Sequence, residues 1–217
     1  MTNIEKILKN NIKKYGSISV ENFFNVVLYH NKFGYYKNNR IIGKLGDFIT
    51  APEISQTFGE ILTNPLLLNY SIIKKNRLLS LVELGPGRGL LANDILRTIN
   101  KLNSNFFKKI KSIYFLEKSE LFFKYLKQLH ISPLIIDDIG KVPNNFNIIV
   151  ANEFFDALPV NQYIFQKNKW YEILICLDKK ENFEFTIAKK ATNINYCFPE
   201  NPTEGYIFEY SSYMINL

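Results

Sequence analysis

The sequence is poor in the side chains that bind transition metals or staple small domains. It has two cysteines, Cys176 and Cys197, and two histidines, His30 and His130, in 217 residues. No spacing among the four builds a tetrahedral zinc site or a disulfide framework, so no metal is expected and a reducing cytoplasm fits. Apolar residues never approach the run of roughly 20 that a membrane helix needs. The opening stretch, MTNIEKILKNNIKKYG, carries acidic Glu5, no arginine and no long apolar run. It reads as neither a signal peptide nor a transit peptide. Wholesale disorder is excluded as well, because 47% of the residues are hydrophobic and 15% aromatic.

The net charge is +7 and the pI about 9.2. The lysines stand in scattered pairs, Lys74-Lys75, Lys108-Lys109, Lys179-Lys180 and Lys189-Lys190. Scattered pairs read as solvated helix ends and loops. No recognisable RNA- or DNA-binding motif accompanies the charge, so nucleic acid is not the expected partner.

The periodicity changes along the chain. Ile4, Ile7, Leu8 and Ile12 recur at helical spacing. Ser19 stands where it would cap a second helix running to Tyr29. The segment GDFITAPEISQTFGEILTNPLLLNYSII predicts a loop and then one long helix, with Thr50 or Ser55 near its start. From Leu78, β-rich runs alternate with helical stretches: LLSLVEL, a helix over 90–102, SIYFLE, a helix over 119–129, PLIID and NIIVAN. Strands alternating with helices predict right-handed crossovers and a parallel sheet. After Pro159 the pattern predicts antiparallel hairpins, with turns near Lys167–Lys169 and Lys179–Asn182. The expected organisation is an N-terminal helical segment (1–76), a Rossmann-like core (77–160) and a β-hairpin extension (161–217).

The core opens with Leu78–Ile99, LLSLVELGPGRGLLANDILRTI. Gly85-Pro86-Gly87-Arg88-Gly89 is G-x-G-x-G, and the third small residue of the dinucleotide fingerprint would fall on Leu90. Glu83, just before the loop, would repel a pyrophosphate but attract a cationic amine. S-adenosylmethionine meets both constraints. It lacks a phosphate, and its methionine end carries an ammonium, a carboxylate and a sulfonium. Glu83 can face the ammonium directly or through water, and the glycines admit close backbone approach. Glu117, ending the second strand, can accept from both ribose hydroxyls. Asp137 and Asp138 end the third strand, placed for the adenine amino group; for Asp138 a helix cap is the alternative. Asn152, Glu153 and Asp156 follow the fourth strand, where the acceptor should lie. A carboxylate there can hold a cationic acceptor or take its proton. For Asp156, capping a following turn is the alternative, and Phe154 and Phe155 either wall the pocket or belong to the core.

Five segments together resemble one family: GYY (34–36), GDFITAPEISQTFGE (46–60), VELGPGRGLLANDILR (82–97), ANEFFDALPVNQY (151–163) and EGYIFEYSS (204–212). Their order and content resemble the MidA-like methyltransferases, relatives of the arginine methyltransferase of mitochondrial complex I assembly. The resemblance implies a seven-strand Rossmann-like fold that uses S-adenosylmethionine. It implies a protein arginine as acceptor, on the quinone-site subunit of NADH:ubiquinone oxidoreductase. It also assigns Asp47, Thr50, Pro52, Glu53 and Ser55 to a segment folding over the donor pocket. Two departures are small: Leu90 replaces a usual threonine, and the turn before Tyr35 lacks a usual proline. The third is large, because family members continue past the equivalent of Leu217. The expected fold is therefore α/β with an incomplete sheet, strands one to four only. A partner chain or self-association would then complete the sheet, and the alternative function is a non-catalytic donor-binding or protein-interaction module. A nicotinamide-dependent oxidoreductase is disfavoured by Glu83 and the glycine spacing. An RNA methyltransferase would share the donor site and use the positive charge.

Overall fold

The computed structural model describes residues 1–37, 48–72, 77–144, 146–194 and 198–215. Along the chain run α1 (Asn3–Tyr15), β1 (Ile18–Ser19), α2 (Val20–Tyr29), α3 (Ala51–Ile54), α4 (Gln56–Asn69), β2 (Leu79–Leu84), α5 (Leu90–Leu102), α6 (Ser104–Lys109) and β3 (Ile110–Leu116). Then follow α7 (Glu120–Leu126), β4 (Leu134–Ile136), β5 (Phe146–Ala151), β6 (Asn161–Gln166), β7 (Lys169–Leu177), β8 (Phe183–Ile187), β9 (Ile207–Tyr210) and α8 (Ser212–Ile215). Two compact units result, one of residues 39–157 and one of residues 1–38 with 158–217. They cut across the three-segment division read from the sequence. Among the described residues, no helix is long and apolar enough to cross a membrane.

The 39–157 unit holds the parallel sheet, in the order β4-β3-β2-β5. Counted within this sheet alone, that is third, second, first, fourth. Every residue of β2 is buried, which is why LSLVEL reads as continuous rather than alternating hydrophobicity. Leu79, Leu81, Phe115 and Ile148 join one core with Leu91, Ile95 and Ile99 of α5 and with Phe106 and Leu126. Val82, Leu84, Tyr114, Leu116 and Ile136 form a second core. The long helix expected after Thr50 is instead two, because Ser55 is extended (φ −155°) and caps α4 by accepting from the Thr57 N–H at 3.1 Å. Close approach of α4 to α5 depends on Gly59, where a Cβ would stand 2.7 Å from Asp94 Cβ.

The other unit is an antiparallel sheet in the order β1-β7-β6-β9, with β8 also paired to β7. Lys167 and Asn168, both at positive φ (51° and 58°), make the tight β6–β7 turn. Asp178 closes the β7–β8 turn by accepting from the Lys180 and Asn182 N–H groups at 2.8 and 2.7 Å. The capping box of α1 pairs Thr2 with Glu5, and Ser19 caps α2 as expected, accepting from Asn22. Leu8 and Ile12 of α1, Ile18 and Val20 bury against Ile173 and Ile175 of β7. That contact is why the N-terminal helices belong with the C-terminal strands.

Candidate functional site

Apart from Asp47, Thr50, Pro52 and Glu53, the sequence-predicted site residues lie at or just beyond the carboxyl ends of β2, β3, β4 and β5, the rim where ligands bind in parallel α/β sheets. The glycine loop occupies the centre. Gly85, Gly87 and Gly89 all have positive φ (65°, 54° and 75°). A side chain at Gly85 would also collide with Phe154, Cβ to Cδ2 at 2.7 Å. At Gly89 it would meet Leu129 Cδ1 at 2.5 Å. The Gly89 N–H donates to the Pro86 carbonyl at 2.8 Å, closing the loop as a four-residue turn before α5. Leu90 is the first residue of α5.

Glu83 is buried, at 3% exposure. Its Oε2 accepts from the Ala92 N–H at 3.2 Å, satisfying a free donor in the first turn of α5. Burial outweighs that one bond and pushes its carboxyl up to about 8. A buried acid bonded to the Ala92 N–H is able to pair with a cation once it ionises. Glu117 lies beyond β3, with Oε1 accepting from the Ser119 N–H at 2.7 Å. Burial raises it to about 7, while N–H groups of Ser119, Lys118 and Gly87 act in the opposite direction. The Gly85 N–H, donating to the Leu116 carbonyl at 3.0 Å, ties the end of β3 to the loop after β2.

Asp137 and Asp138 are exposed and already engaged. Asp137 pairs with Lys141, which lowers its pKa. Asp138 caps the short 3-10 turn Ile139–Lys141, its Oδ1 accepting from the Gly140 N–H at 2.8 Å. Beyond β5, Asn152 Nδ2 approaches Glu153 Oε1 at 3.4 Å. Glu153 is exposed and sits at φ 51°, a strained region for a residue with a side chain. Asp156 is exposed in the 3-10 turn Phe155–Ala157, and Phe154 meets Phe155 edge to face at 5.4 Å.

Thr50 stands at the N-cap of α3 without a side-chain cap bond, and Pro52 lies in its first turn. Glu53, with its side chain 6% exposed, pairs with Arg88 Nη1 at 3.3 Å. Arg88 also lies 5.8 Å from the Tyr125 ring centroid. Asp47 falls outside the described residues. The structure therefore brings Glu83, the glycine loop, Glu117 and Glu53 together, and ties Asp137 and Asp138 to local partners. Sequence reasoning missed Arg88. Its position between two glycines is visible, but its partner Glu53 comes from a distant segment.

The side chains fit the methionine and nucleoside ends of S-adenosylmethionine: one buried carboxyl with no ion pair among the described residues, a second just beyond the next strand, and a loop in which a Cβ at Gly85 or Gly89 would collide. Among the described residues no three His, Cys, Asp or Glu side chains gather as metal ligands. A family model described as "Putative S-adenosyl-L-methionine-dependent methyltransferase" matches residues 61–216. The chain is similar to the curated "Protein arginine methyltransferase NDUFAF7, mitochondrial" of Bos taurus, 31% identical over 90% of this chain and 50% of that protein. The Danio rerio protein of the same name is 33% identical over 87% and 51%. The chain thus spans about half the length of the curated relatives it matches. A solved Burkholderia thailandensis structure with S-adenosyl-homocysteine bound shares the fold, at TM-score 0.67 and 22% identity, over 96% of this chain and 56% of that one.

Proposed function

The chain belongs to the S-adenosyl-L-methionine-dependent methyltransferase family, and from that premise we propose that it transfers a methyl group to an arginine of a protein. The observation that carries the donor half is the buried Glu83 carboxyl at the head of the glycine loop, pushed up to about 8 by its burial. When bound, S-adenosylmethionine supplies an electrophilic methyl on a sulfonium. Glu83 holds the ammonium end, the glycine loop admits the methionine carboxylate to the start of α5, and Glu117 accepts from the ribose. Asp137, Asp138, Asp47, Thr50 and Pro52 are proposed donor contacts on the strength of motif position.

Glu153, Asp156 and Asn152 serve the acceptor. An exposed carboxylate in a strained backbone, Glu153, suits a guanidinium: it orients the cation and receives the proton that the methylated nitrogen gives up. The finer reading takes the acceptor as an arginine on the quinone-site subunit of NADH:ubiquinone oxidoreductase, and the reaction as cytoplasmic. Motif resemblance supports the former and sparse cysteine usage the latter. A second reading, a donor-binding or protein-interaction module without turnover, is favoured by one observation. Among the described residues β5 is a sheet edge, with Ile149 58% exposed, so the strand leading to Glu153 is open to a partner chain or a second copy.

Calorimetry tests the donor. Glu117→Ala removes the ribose acceptor and Gly87→Val places a branched side chain at positive φ; both should weaken S-adenosylmethionine binding at least about tenfold. Tighter binding of a nicotinamide dinucleotide than of S-adenosylmethionine would overturn the assignment. Glu153→Gln tests the acceptor: methyl transfer to arginine should fall about a hundredfold or more with donor affinity unchanged. Equal losses in both would remove Glu153 from the acceptor side. Donor binding with no transfer to any protein arginine would leave the module reading in possession.

A further inference from the structure

Arg88 is held in place by its neighbours rather than by its own side chain. Gly87 and Gly89 on either side have positive φ, and the bond from the Gly89 N–H to the Pro86 carbonyl closes the turn around it. From this fixed base the guanidinium reaches two other elements: Glu53 of α3 at 3.3 Å and the face of Tyr125 of α7. The Glu53 side chain is 6% exposed while that of Arg88 is 37% exposed, so the carboxylate is the more deeply buried partner. A buried carboxylate deprived of its cation is strongly unfavourable, unlike a surface pair.

The element at the other end cannot hold itself. α3 is a single turn of four residues, and Thr50 at its N-cap makes no side-chain cap bond. Its backbone bonds, from the Glu53 N–H to Thr50 at 2.9 Å and the Ser55 N–H to Ala51 at 3.3 Å, are too few for an isolated helix. The Glu53–Arg88 pair is the charged contact that joins it to the glycine loop.

We propose that Arg88 is a positioning residue, which through Glu53 seats α3 on the glycine loop so that the loop shape receiving the donor and the seat of α3 are kept or lost together. This rests on the donor reading above. Lysine cannot replace the arginine fully, since a point charge on a flexible stem lacks the planar group that meets a carboxylate and an aromatic face together.

Two measurements on the full chain separate this from a general loss of stability. In ligand-free protein, hydrogen exchange at the Glu53 and Ser55 amides should quicken about tenfold in Arg88→Gln and in Glu53→Gln, with the Phe115 amide in β3 unchanged. By calorimetry, S-adenosylmethionine affinity should fall about tenfold in each, and the double variant should be no worse than either single one, as for two members of one interaction. Arg88→Lys should fall between. Unchanged α3 exchange in Arg88→Gln overturns the proposal. So does a double variant whose affinity loss is the product of the two single losses, since Arg88 would then act on the donor without Glu53. A wild-type chain that binds no S-adenosylmethionine sinks the donor reading instead, while the exchange measurement still decides whether Arg88 holds α3.

Discussion

At the scale of single residues, Glu83 is legible as an acid before a glycine loop, which is the ground for proposing it as the partner of a cation. Its bond to the Ala92 N–H is not legible, because which backbone donor faces a side chain depends on how the helix leaves the loop. Asp138 shows the reverse: a cap was the alternative reading, and its Oδ1 does bond the Gly140 N–H. The burial of Glu83 has a pH signature. Its folded pKa is about 8 against an ordinary 4.5, so between those values the unfolded chain ionises while the folded protein keeps its proton. Stability from this group is therefore complete below about pH 4.5 and falls as pH rises to 8, by on the order of 5 kcal/mol in all. Glu117, raised to about 7, acts in the same direction over a narrower window. In Glu83→Gln, urea unfolding of the ligand-free protein between pH 5 and 8 should show a much flatter loss. A donor that presents a cation should conversely bind more tightly as pH approaches 8, because the carboxylate it pairs with must first ionise. An unfolding profile identical in wild type and Glu83→Gln would mean that Glu83 is not the group that titrates.

At the scale of elements, the alternation of β-rich and helical runs gave the parallel sheet, and the turn residues near Lys167 and Asp178 gave the hairpins. Two features escaped. The two-residue β1 is too short to carry a pattern, and its pairing with Ile175 and Leu174 is set by strands far along the chain. The break between α3 and α4 lies at Ser55, whose extended backbone has no signal beyond a capping side chain. Helix contact is where a substitution separates local preference from packing. Replacing Gly59 of α4 by alanine should gain up to about 1 kcal/mol of helix propensity. The added Cβ would however stand 2.7 Å from the Asp94 Cβ, an atom fixed to the α5 backbone, and overpacking costs about 1–3 kcal/mol. Packing wins. Gly59→Ala should lower the melting temperature slightly and Gly59→Val by several degrees; a higher melting temperature in Gly59→Ala would show that α4 shifts freely on α5.

At the scale of the molecule, the chain leaves one unit near residue 38 and returns to it at 158, a closure that no local pattern announces. Sequence continuity placed the N-terminal helices with the segment after them. The apolar faces decide otherwise: Leu8, Ile12, Ile18 and Val20 have their partners on β7, at Ile173 and Ile175. Each such side chain contributes about 1.5–3 kcal/mol when fully buried, and together they outweigh the modest extra cost of closing a long loop, which grows only logarithmically with length. Surface charge adds little, since the Lys13–Glu181 pair joining the same two regions is about half exposed on both sides. Ile12→Ala should therefore destabilise this unit by about 2–5 kcal/mol, whereas Lys13→Ala should cost about 1 kcal/mol or less. Removing residues 1–30 should expose the β7 face outright, seen as binding of a hydrophobic dye and as self-association in sedimentation. If that shortened chain stayed monodisperse and dye-free, the β7 face would not need the N-terminal helices, and the closure of the unit would have to be explained by the strands alone.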